Sequence, residues 1–135
     1  MKIMVCGPIA GKGVDEIKLF QKVLIENGFQ VVNQLKAGMN YSYIDDFRNK
    51  KQLAERIVTS DLKSIEKSDI IVAICNEPSF GTAIEIYYAK KLGKKVIVLN
   101  EEAQPSPWPI AFADQIVKSK DELIKTLLKL TFKQA

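Results

Sequence analysis

Short, wholly apolar runs alternate with helical patterns along this chain. The clearest run is Ile70-Ile71-Val72-Ala73-Ile74, which has no polar position and precedes a helical pattern that ends near Gly93. A strand without polar positions is typical of a parallel sheet, because helices cover both of its faces. The alternation therefore predicts an α/β fold built on a parallel sheet.

The whole chain follows this pattern. The predicted strands are Lys2–Cys6, 29–32, 69–74, Lys95–Leu99 and Gln115–Val117, and the predicted helices are 14–27, 50–67, 82–92 and 121–130. Five strands suit a flavodoxin-like three-layer sandwich with a five-stranded parallel sheet in the order 2-1-3-4-5. The length of 135 residues is that of a single domain, 1–135.

Two long segments fall outside these elements. Residues 33–48 carry Tyr41 and Tyr43 without clear periodicity, and a loop of this length is often functional, for instance as a lid. Residues 101–109 are predicted to form a proline-rich loop that contains Trp108.

The turn after the third strand combines a hydroxyl, a glycine and a carboxylate: Ser79, Gly81 and Glu85. Ligands of parallel sheets bind at the carboxyl ends of the strands, and a hydroxyl beside free N–H groups at a helix N-terminus suits a phosphate. A carboxylate nearby suits covalent or acid–base chemistry. The spacing from Thr82 to Glu85 also fits a capping box, so both interpretations stay open.

A second carboxylate interrupts an apolar stripe in the second helix. Leu53, Ile57 and Ile65 lie four or eight residues apart, and Asp61 falls between them. An unpaired carboxylate on a core face costs several kcal/mol. Asp61 therefore either lies at the edge of the stripe and meets a lysine or a backbone donor, or reaches a cleft and converges there with Glu85.

Composition excludes several kinds of site. The chain has no histidine, which removes Ser-His-Asp and Cys-His catalysis, and its two cysteines are too few for a usual zinc site. Cys6 and Cys75 both end apolar strand patterns, so we predict free thiols buried as small hydrophobic groups in a reducing cytoplasm. No apolar run approaches the ~20 residues that span a bilayer. The net charge of +4 is spread along the chain and favours small anions more than nucleic acid.

The first turn, Gly7-Pro8-Ile9-Ala10-Gly11-Lys12-Gly13, departs from known phosphate loops. It has one residue too few between its glycines for a P-loop, and Gly13 stands where Ser or Thr would hold magnesium. It also lacks the Gly-x-Gly-x-x-Gly of dinucleotide sites. Gly7 either lets a ligand approach the backbone closely or forms a plain tight turn.

Several motifs, taken in order, carry a family resemblance. They are Cys6-Gly7-Pro8-Ile9, Asp61-Leu62, Ser68-Asp69-Ile70-Ile71-Val72-Ala73, and Pro78-Ser79-Phe80-Gly81 followed by Glu85. Over residues 2–100 the chain resembles the nucleoside 2-deoxyribosyltransferase superfamily, and within it the 2'-deoxynucleoside 5'-phosphate N-hydrolases. The resemblance implies a flavodoxin-like, cytoplasmic enzyme of nucleotide salvage that needs no cofactor and no metal.

The same resemblance implies roles for individual residues. Glu85 would be the nucleophile at the anomeric carbon, and Asp61 would assist the departing base or position the nucleophile. Ser79 and Gly81 would hold the 5'-phosphate. The substrate would also meet the first turn, at Gly7, Pro8 and Ile9. The resemblance further implies a homodimer or larger assembly in which Ser106 of the partner subunit reaches the phosphate.

Three functions remain open at this point. The first is hydrolysis of 2'-deoxynucleoside 5'-monophosphates to free base and deoxyribose 5-phosphate. The second is base exchange between 2'-deoxynucleosides, because Met4 replaces a tyrosine of the hydrolases, and Pro8 and Ala10 replace a serine and an arginine. The third is a non-catalytic nucleotide-binding sensor, since a fold does not fix a function.

The base of the substrate has candidate contacts in the long loop. Tyr41, Tyr43 or Asp45 would reach it there, and an aromatic ring would stack on it. Packing of the loop onto the domain is the alternative role for each of them.

Overall fold

A computed structural model of the chain describes residues 1–35, 41 and 43–132. Its elements are β1 (Lys2–Cys6), α1 (Gly13–Glu26), β2 (Gln30–Val31), α2 (Lys51–Glu66), β3 (Ile70–Ile74), α3 (Phe80–Lys91), β4 (Lys95–Leu99), α4 (Pro107–Phe112), β5 (Gln115–Val117) and α5 (Lys120–Phe132). The strands form one sheet in the order β2-β1-β3-β4-β5, and each neighbouring pair is parallel. The predicted fold class and strand order are confirmed.

The register aligns the carboxyl ends of the central strands. Cys6 at the end of β1 pairs with Ala73 of β3, and Ile74 pairs with Leu99 of β4. The loops that follow these strands therefore leave the sheet at one edge, where ligands of such sheets bind.

The two faces of the sheet have separate cores. Because side chains alternate along a strand, Ile3 and Val5 of β1 face α1 and α5, whereas Met4 and Cys6 face α2 and α3. The first core adds Ile17, Phe20 and Leu24 of α1 and Leu123 and Leu127 of α5. The second adds Ile65 of α2 and Ile86 and Ala89 of α3. The predicted three layers are thus present.

The edge of the sheet beside β1 is completed by a side chain. β2 has only two residues, shorter than predicted, and the buried Gln34 lies beyond it. Its amide nitrogen donates to the Val5 carbonyl at 2.6 Å, and its amide oxygen accepts from the Gln21 amide at 3.3 Å. This bond satisfies a backbone acceptor of β1 that the short strand leaves unpaired.

One predicted loop contains a helix. Within residues 101–109, Ser106 caps α4 and Pro107 occupies its first turn, a preferred arrangement for a helix start. Among the described residues, no helix has the length and apolar character to cross a membrane.

Candidate active site

Ser79, and not Thr82, caps the helix that carries Glu85. Ser79 has an extended backbone, and its hydroxyl oxygen accepts from the Thr82 N–H at 3.3 Å. Thr82 is the third residue of the helix and is buried, so Glu85 lies three positions beyond the one from which a glutamate completes a capping box. The capping-box interpretation is therefore wrong, and the Glu85 side chain is not accounted for by helix capping.

The Glu85 carboxyl group points back toward the start of α3. A Cβ atom placed on Gly81 would lie 3.9 Å from Glu85 Oε1, so the absence of a side chain at Gly81 leaves that oxygen uncovered. This direction is usual for long side chains on helices, which lean toward the N-terminus. The carboxyl group thus lies one turn from the Ser79 cap, at the edge where the strands end.

Burial and a second carboxylate both disfavour the charged form of Glu85. They raise its pKa from 4.5 to about 8, with burial the larger cause and Asp61 the second. A hydrogen bond from the Cys6 thiol opposes this rise by stabilising the carboxylate. A carboxyl group perturbed in this way beside a strand end is typical of a functional site.

Asp61 approaches the same place from α2. Burial raises its pKa from 3.8 to about 6. Among the described residues no lysine or backbone donor contacts its carboxylate, and its electrostatic neighbours are Glu85 and Cys6. The two carboxylates therefore converge, and the edge-of-stripe alternative is not supported. Asp61 and Glu85 titrate as a pair.

The Ser79 hydroxyl keeps its own proton available. Its oxygen accepts from the Thr82 N–H and from the Thr82 hydroxyl, the latter at 2.9 Å, and it has no acceptor for its proton within the described residues. The N–H groups of Phe80 and Gly81 also lack acceptors inside the helix, since they belong to its first turn. The start of α3 thus presents donors to an anion.

The first turn packs closely under the site. Gly7 is buried, and a Cβ atom on it would approach Ile74 at 3.3 Å and Ile17 at 3.4 Å. A Cβ atom on Gly13 would collide with the Pro8 carbonyl oxygen at 1.8 Å, so α1 begins directly against this turn. Pro8 and Ile9 are half-buried, and Ile9 packs against the first core. Pro8 and Ile9 are thus the candidate contacts of this turn that keep some exposure, whereas Gly7 is buried.

The tyrosines of the long loop are in different environments. Tyr41 is buried and Tyr43 is 78% exposed. Residues 36–40 and 42 of the predicted lid lie outside the described residues. Asp45 is exposed, and Asp46 beside it pairs with Arg48 at 2.9 Å. The role of the two tyrosines in binding the base stays a prediction.

Ser106 is held by its own chain at the end of β3. Its N–H donates to the Gln104 side chain at 2.9 Å, and Gln104 donates to the Cys75 carbonyl at 3.0 Å. The Ser106 hydroxyl accepts from the Trp108 N–H at 3.4 Å. Asn76 fixes the same loop by accepting from the Glu101 N–H at 2.8 Å. These amides define the wall beside the site, and we did not predict them from sequence.

Two further observations complete the site. Met4, at the position of the hydrolases' tyrosine, is fully buried in the second core. Cys6 and Cys75 are free and buried as predicted. Among the described residues, no three Cys, Asp or Glu side chains are grouped so as to hold a metal ion.

The chain is similar in sequence to known proteins. A family model described as nucleoside 2-deoxyribosyltransferase matches residues 3–127. A 5-hydroxymethyl-dUMP N-hydrolase from Danio rerio is 28% identical over 99 residues, which are 73% of this chain and 68% of that protein.

Solved structures share the fold. A 2-deoxyribosyltransferase from Bacillus psychrosaccharolyticus superposes with a TM-score of 0.72 at 18% identity, over 92% of this chain and 90% of the other. A CMP N-glycosidase from Clostridium botulinum superposes with a TM-score of 0.60 at 19% identity, over 94% and 98% of the two chains.

Proposed function

Because the chain belongs to the nucleoside 2-deoxyribosyltransferase family, we propose that it hydrolyses the N-glycosidic bond of 2'-deoxynucleoside 5'-monophosphates, with Glu85 as the nucleophile. The family and the relative from Danio rerio are enzymes of N-glycosidic bonds, so the sensor hypothesis is set aside. The observation that carries the proposal is the half-buried pair of carboxylates beside the uncapped donors of α3.

The proposed reaction has two steps. An oxygen of Glu85 attacks C1' while the bond from C1' to the base nitrogen breaks, and the base leaves with a proton from Asp61. Water then attacks C1' of the glycosyl ester and gives its proton to Asp61, which releases deoxyribose 5-phosphate and the free Glu85 carboxylate. This use of paired carboxylates follows the logic of retaining glycosidases.

The pKa values, about 8 for Glu85 and about 6 for Asp61, place the shared proton mainly on Glu85 in the free protein, so the reactive form with Glu85 charged and Asp61 protonated is the minor one. Burial makes the negative charge of Glu85 unfavourable in the empty site. Positive charge develops on the sugar as the base departs, and that charge stabilises the carboxylate. The interaction is therefore stronger in the transition state than in the ground state, which is the condition for rate acceleration.

The choice of a monophosphate rests on the start of α3. The Ser79 hydroxyl and the N–H groups of Phe80 and Gly81 lie at the end of α3 toward which the Glu85 side chain points. Two similar proteins, the N-hydrolase from Danio rerio and the glycosidase from Clostridium botulinum, are named for nucleoside monophosphates. Ser79→Ala is expected to lower kcat/KM for monophosphates more than for free deoxynucleosides. An unchanged ratio between the two substrates would refute the phosphate assignment.

Base exchange is the second candidate function. The Gly7-Pro8 turn and the sequence Gly81-Thr82-Ala83 resemble the transferases, and a transferase is among the solved structures with this fold. Each 2'-deoxynucleoside 5'-monophosphate, incubated with and without a second free base, distinguishes the two. Free base plus deoxyribose 5-phosphate supports hydrolysis. A new nucleotide or nucleoside that forms only with added base supports exchange.

A second copy of this chain is the proposed partner. The outer faces of α3 and α4 expose Phe80 at 93% and Trp108 at 67%. Trp108 lines a groove of about 220 Å³ together with the exposed Ile84 and Tyr87. Contiguous apolar surface of this kind is unusual on a monomer. The face is carried by the helix that holds Glu85 and by the helix that Ser106 caps. A two-fold interface there would bring Ser106 of the partner subunit toward the neighbouring α3.

Subunit mixing tests this assembly. Glu85→Gln and Ser106→Ala chains are each expected to have low activity, and mixing them is expected to restore turnover in hybrid dimers. Trp108→Glu is expected to give a monomer by light scattering. A monomeric wild-type chain with full activity would contradict the proposed dimer.

A further inference from the structure

We infer that Gln104 is a positioning residue: its side-chain amide fixes the start of α4 to the end of β3 and thereby places Ser106 for its role in the partner subunit's site. This inference rests on the proposed function and on the proposed dimer. Gln104 is half-buried and lies in the loop between β4 and α4. It acts through Ser106 and not on the substrate itself.

The Gln104 amide is engaged at both of its ends. Its nitrogen donates one hydrogen to the Cys75 carbonyl at 3.0 Å and the other to Asn100 Oδ1 at 2.7 Å. Its oxygen accepts from the Ser106 N–H at 2.9 Å. A backbone carbonyl can only accept and a backbone N–H can only donate, so these two partners fix the orientation of the amide. One side chain thus joins the residues that follow β3 and β4 to the residue that caps α4.

The start of α4 depends on this amide because little else holds it. The helix has six residues, and none of them is buried. Its far end is held separately, since Phe112 and Ala113 pack against the second core. Within the described residues, the hydrogen bonds that link Ser106 and the first turn of α4 to the strand ends all pass through Gln104. Loss of the amide is therefore expected to release the start of the helix and to leave its end in place.

The root of the same loop has its own anchor. Asn76 accepts from the Glu101 N–H at 2.8 Å and donates to the Glu101 carboxylate at 2.9 Å. Neither bond involves Gln104. A chain that lacks the Gln104 amide is therefore expected to keep its fold and to misplace Ser106 locally.

Gln104→Met tests the inference, because methionine has a similar length and forms none of the three hydrogen bonds. Ser106 is proposed to reach the phosphate, so KM for 2'-deoxynucleoside 5'-monophosphates is expected to rise roughly tenfold, the size of a hydrogen bond to a charged group. The kcat/KM for free deoxynucleosides, which carry no phosphate, should change little. In a Ser106→Ala background the substitution should have no further effect. Gln30→Met, an exposed change at the amino end of the sheet, is the matched control.

Subunit mixing separates this role from packing within one chain. In a hybrid of Gln104→Met and Glu85→Gln chains, one site combines an intact Glu85 with intact Gln104 and Ser106 from the other chain. Turnover is expected to recover to about a quarter of the wild-type value, since half of the dimers are hybrids with one working site each. Turnover no higher than the mean of the two parent proteins, or equal effects of Gln104→Met and Gln30→Met, would overturn the inference.

The mixture of Ser106→Ala and Glu85→Gln chains is measured alongside. Its failure would refute the shared site and this inference with it, whereas failure of the Gln104→Met mixture alone overturns the inference and leaves the proposed function standing. Amide hydrogen exchange at Ser106, followed by NMR, needs no substrate and should be faster in Gln104→Met than in the wild type.

An inactive wild-type chain would refute the proposed function, and exchange at Ser106 would still decide whether Gln104 holds it: unchanged protection contradicts the contact. Should Gln104→Met fail to fold, Gln104→Glu takes its place in each measurement. The carboxylate keeps the shape and the acceptor for the Ser106 N–H but loses both donors, so the same loss is expected.

Discussion

The two faces of one sheet differ in what they bury. The face against α1 and α5 is lined by branched aliphatic side chains and Phe20, with no titratable group in its core. The face against α2 and α3 buries Met4, both cysteines and two alanines, and two carboxylates border it. Smaller and softer side chains leave space for polar groups that a tightly packed aliphatic core would exclude. One face thus contributes mainly stability, and the other accommodates chemistry.

The largest expected effect on the reactive face is that of Glu85→Gln. The amide has the same shape but is a poor nucleophile, so kcat is expected to fall by about 10³-fold or more while nucleotide binding persists. Glu55→Gln, an exposed change on α2, is the matched control and should leave kcat unchanged. Steady-state kinetics and isothermal titration calorimetry measure the two quantities. Full turnover by Glu85→Gln would show that the face against α2 and α3 does not carry the reaction.

The opposite face is expected to respond in stability alone. Leu123 of α5 is fully buried in the first core. Leu123→Ala should lower the free energy of unfolding by about 2–5 kcal/mol, because it removes apolar contacts and leaves a cavity. At temperatures where the variant is folded, kcat should match that of the wild type. Urea unfolding measures the stability, and kinetics at 15 °C measure kcat while the variant is folded. A comparable loss of kcat would show that the two faces are not independent.

Asp61→Asn tests the pair as an acid–base unit. In the wild type, the form with one shared proton prevails between the two pKa values, about 6 and about 8, so kcat/KM should fall on both sides of this range. The variant lacks the acid, so its rate should be about 10²-fold lower, and kcat/KM should no longer decline at high pH. Its activity should then follow the ionisation of Glu85 alone, with a pKa below about 8, because removal of the Asp61 charge takes away one of the two causes that raise it. Retention of both limbs would exclude Asp61 as the acid.

A smaller effect concerns stability and pH. The pKa of Glu85 is about 8 in the folded chain against 4.5 for the ordinary group, so the folded state holds this proton more tightly. Its contribution to stability is complete below pH 4.5 and declines as pH rises toward 8, by about 2–4 kcal/mol. Glu85→Gln should therefore have the higher Tm at pH 8, with a smaller gain at pH 5. A gain independent of pH would contradict the raised pKa.

Much of the fold was predictable because its signals are local. The wholly apolar Ile70–Ile74 required burial on both faces, which correctly predicted a parallel sheet, and the five alternating strands suited the order that is observed. The errors were also local. Ser79 and Ser106 each cap a helix. Pro107, which follows Ser106, begins a helix in a segment that was predicted to be a loop.

The site was only partly predictable, because it depends on distances between elements. The stripe of α2 placed Asp61 on an inward face, but only the packed helices bring it to Glu85. The wall formed by Gln104 and Asn76 likewise joins segments far apart in the chain.

The central claim is that Glu85 forms a covalent bond with the sugar. Its most direct test is to incubate the wild-type protein with a 2'-fluoro-arabinonucleoside 5'-monophosphate, stop the reaction and analyse the protein by mass spectrometry. Fluorine beside C1' slows hydrolysis of the glycosyl ester, because it destabilises the oxocarbenium-like state. Trypsin separates Glu85, in the peptide 68–90, from Asp61, in the peptide 57–63. The account predicts a fluorodeoxyribose phosphate adduct on Glu85. An adduct on Asp61 or on Glu77, or turnover of the analogue with no adduct together with an active Glu85→Gln variant, would contradict it.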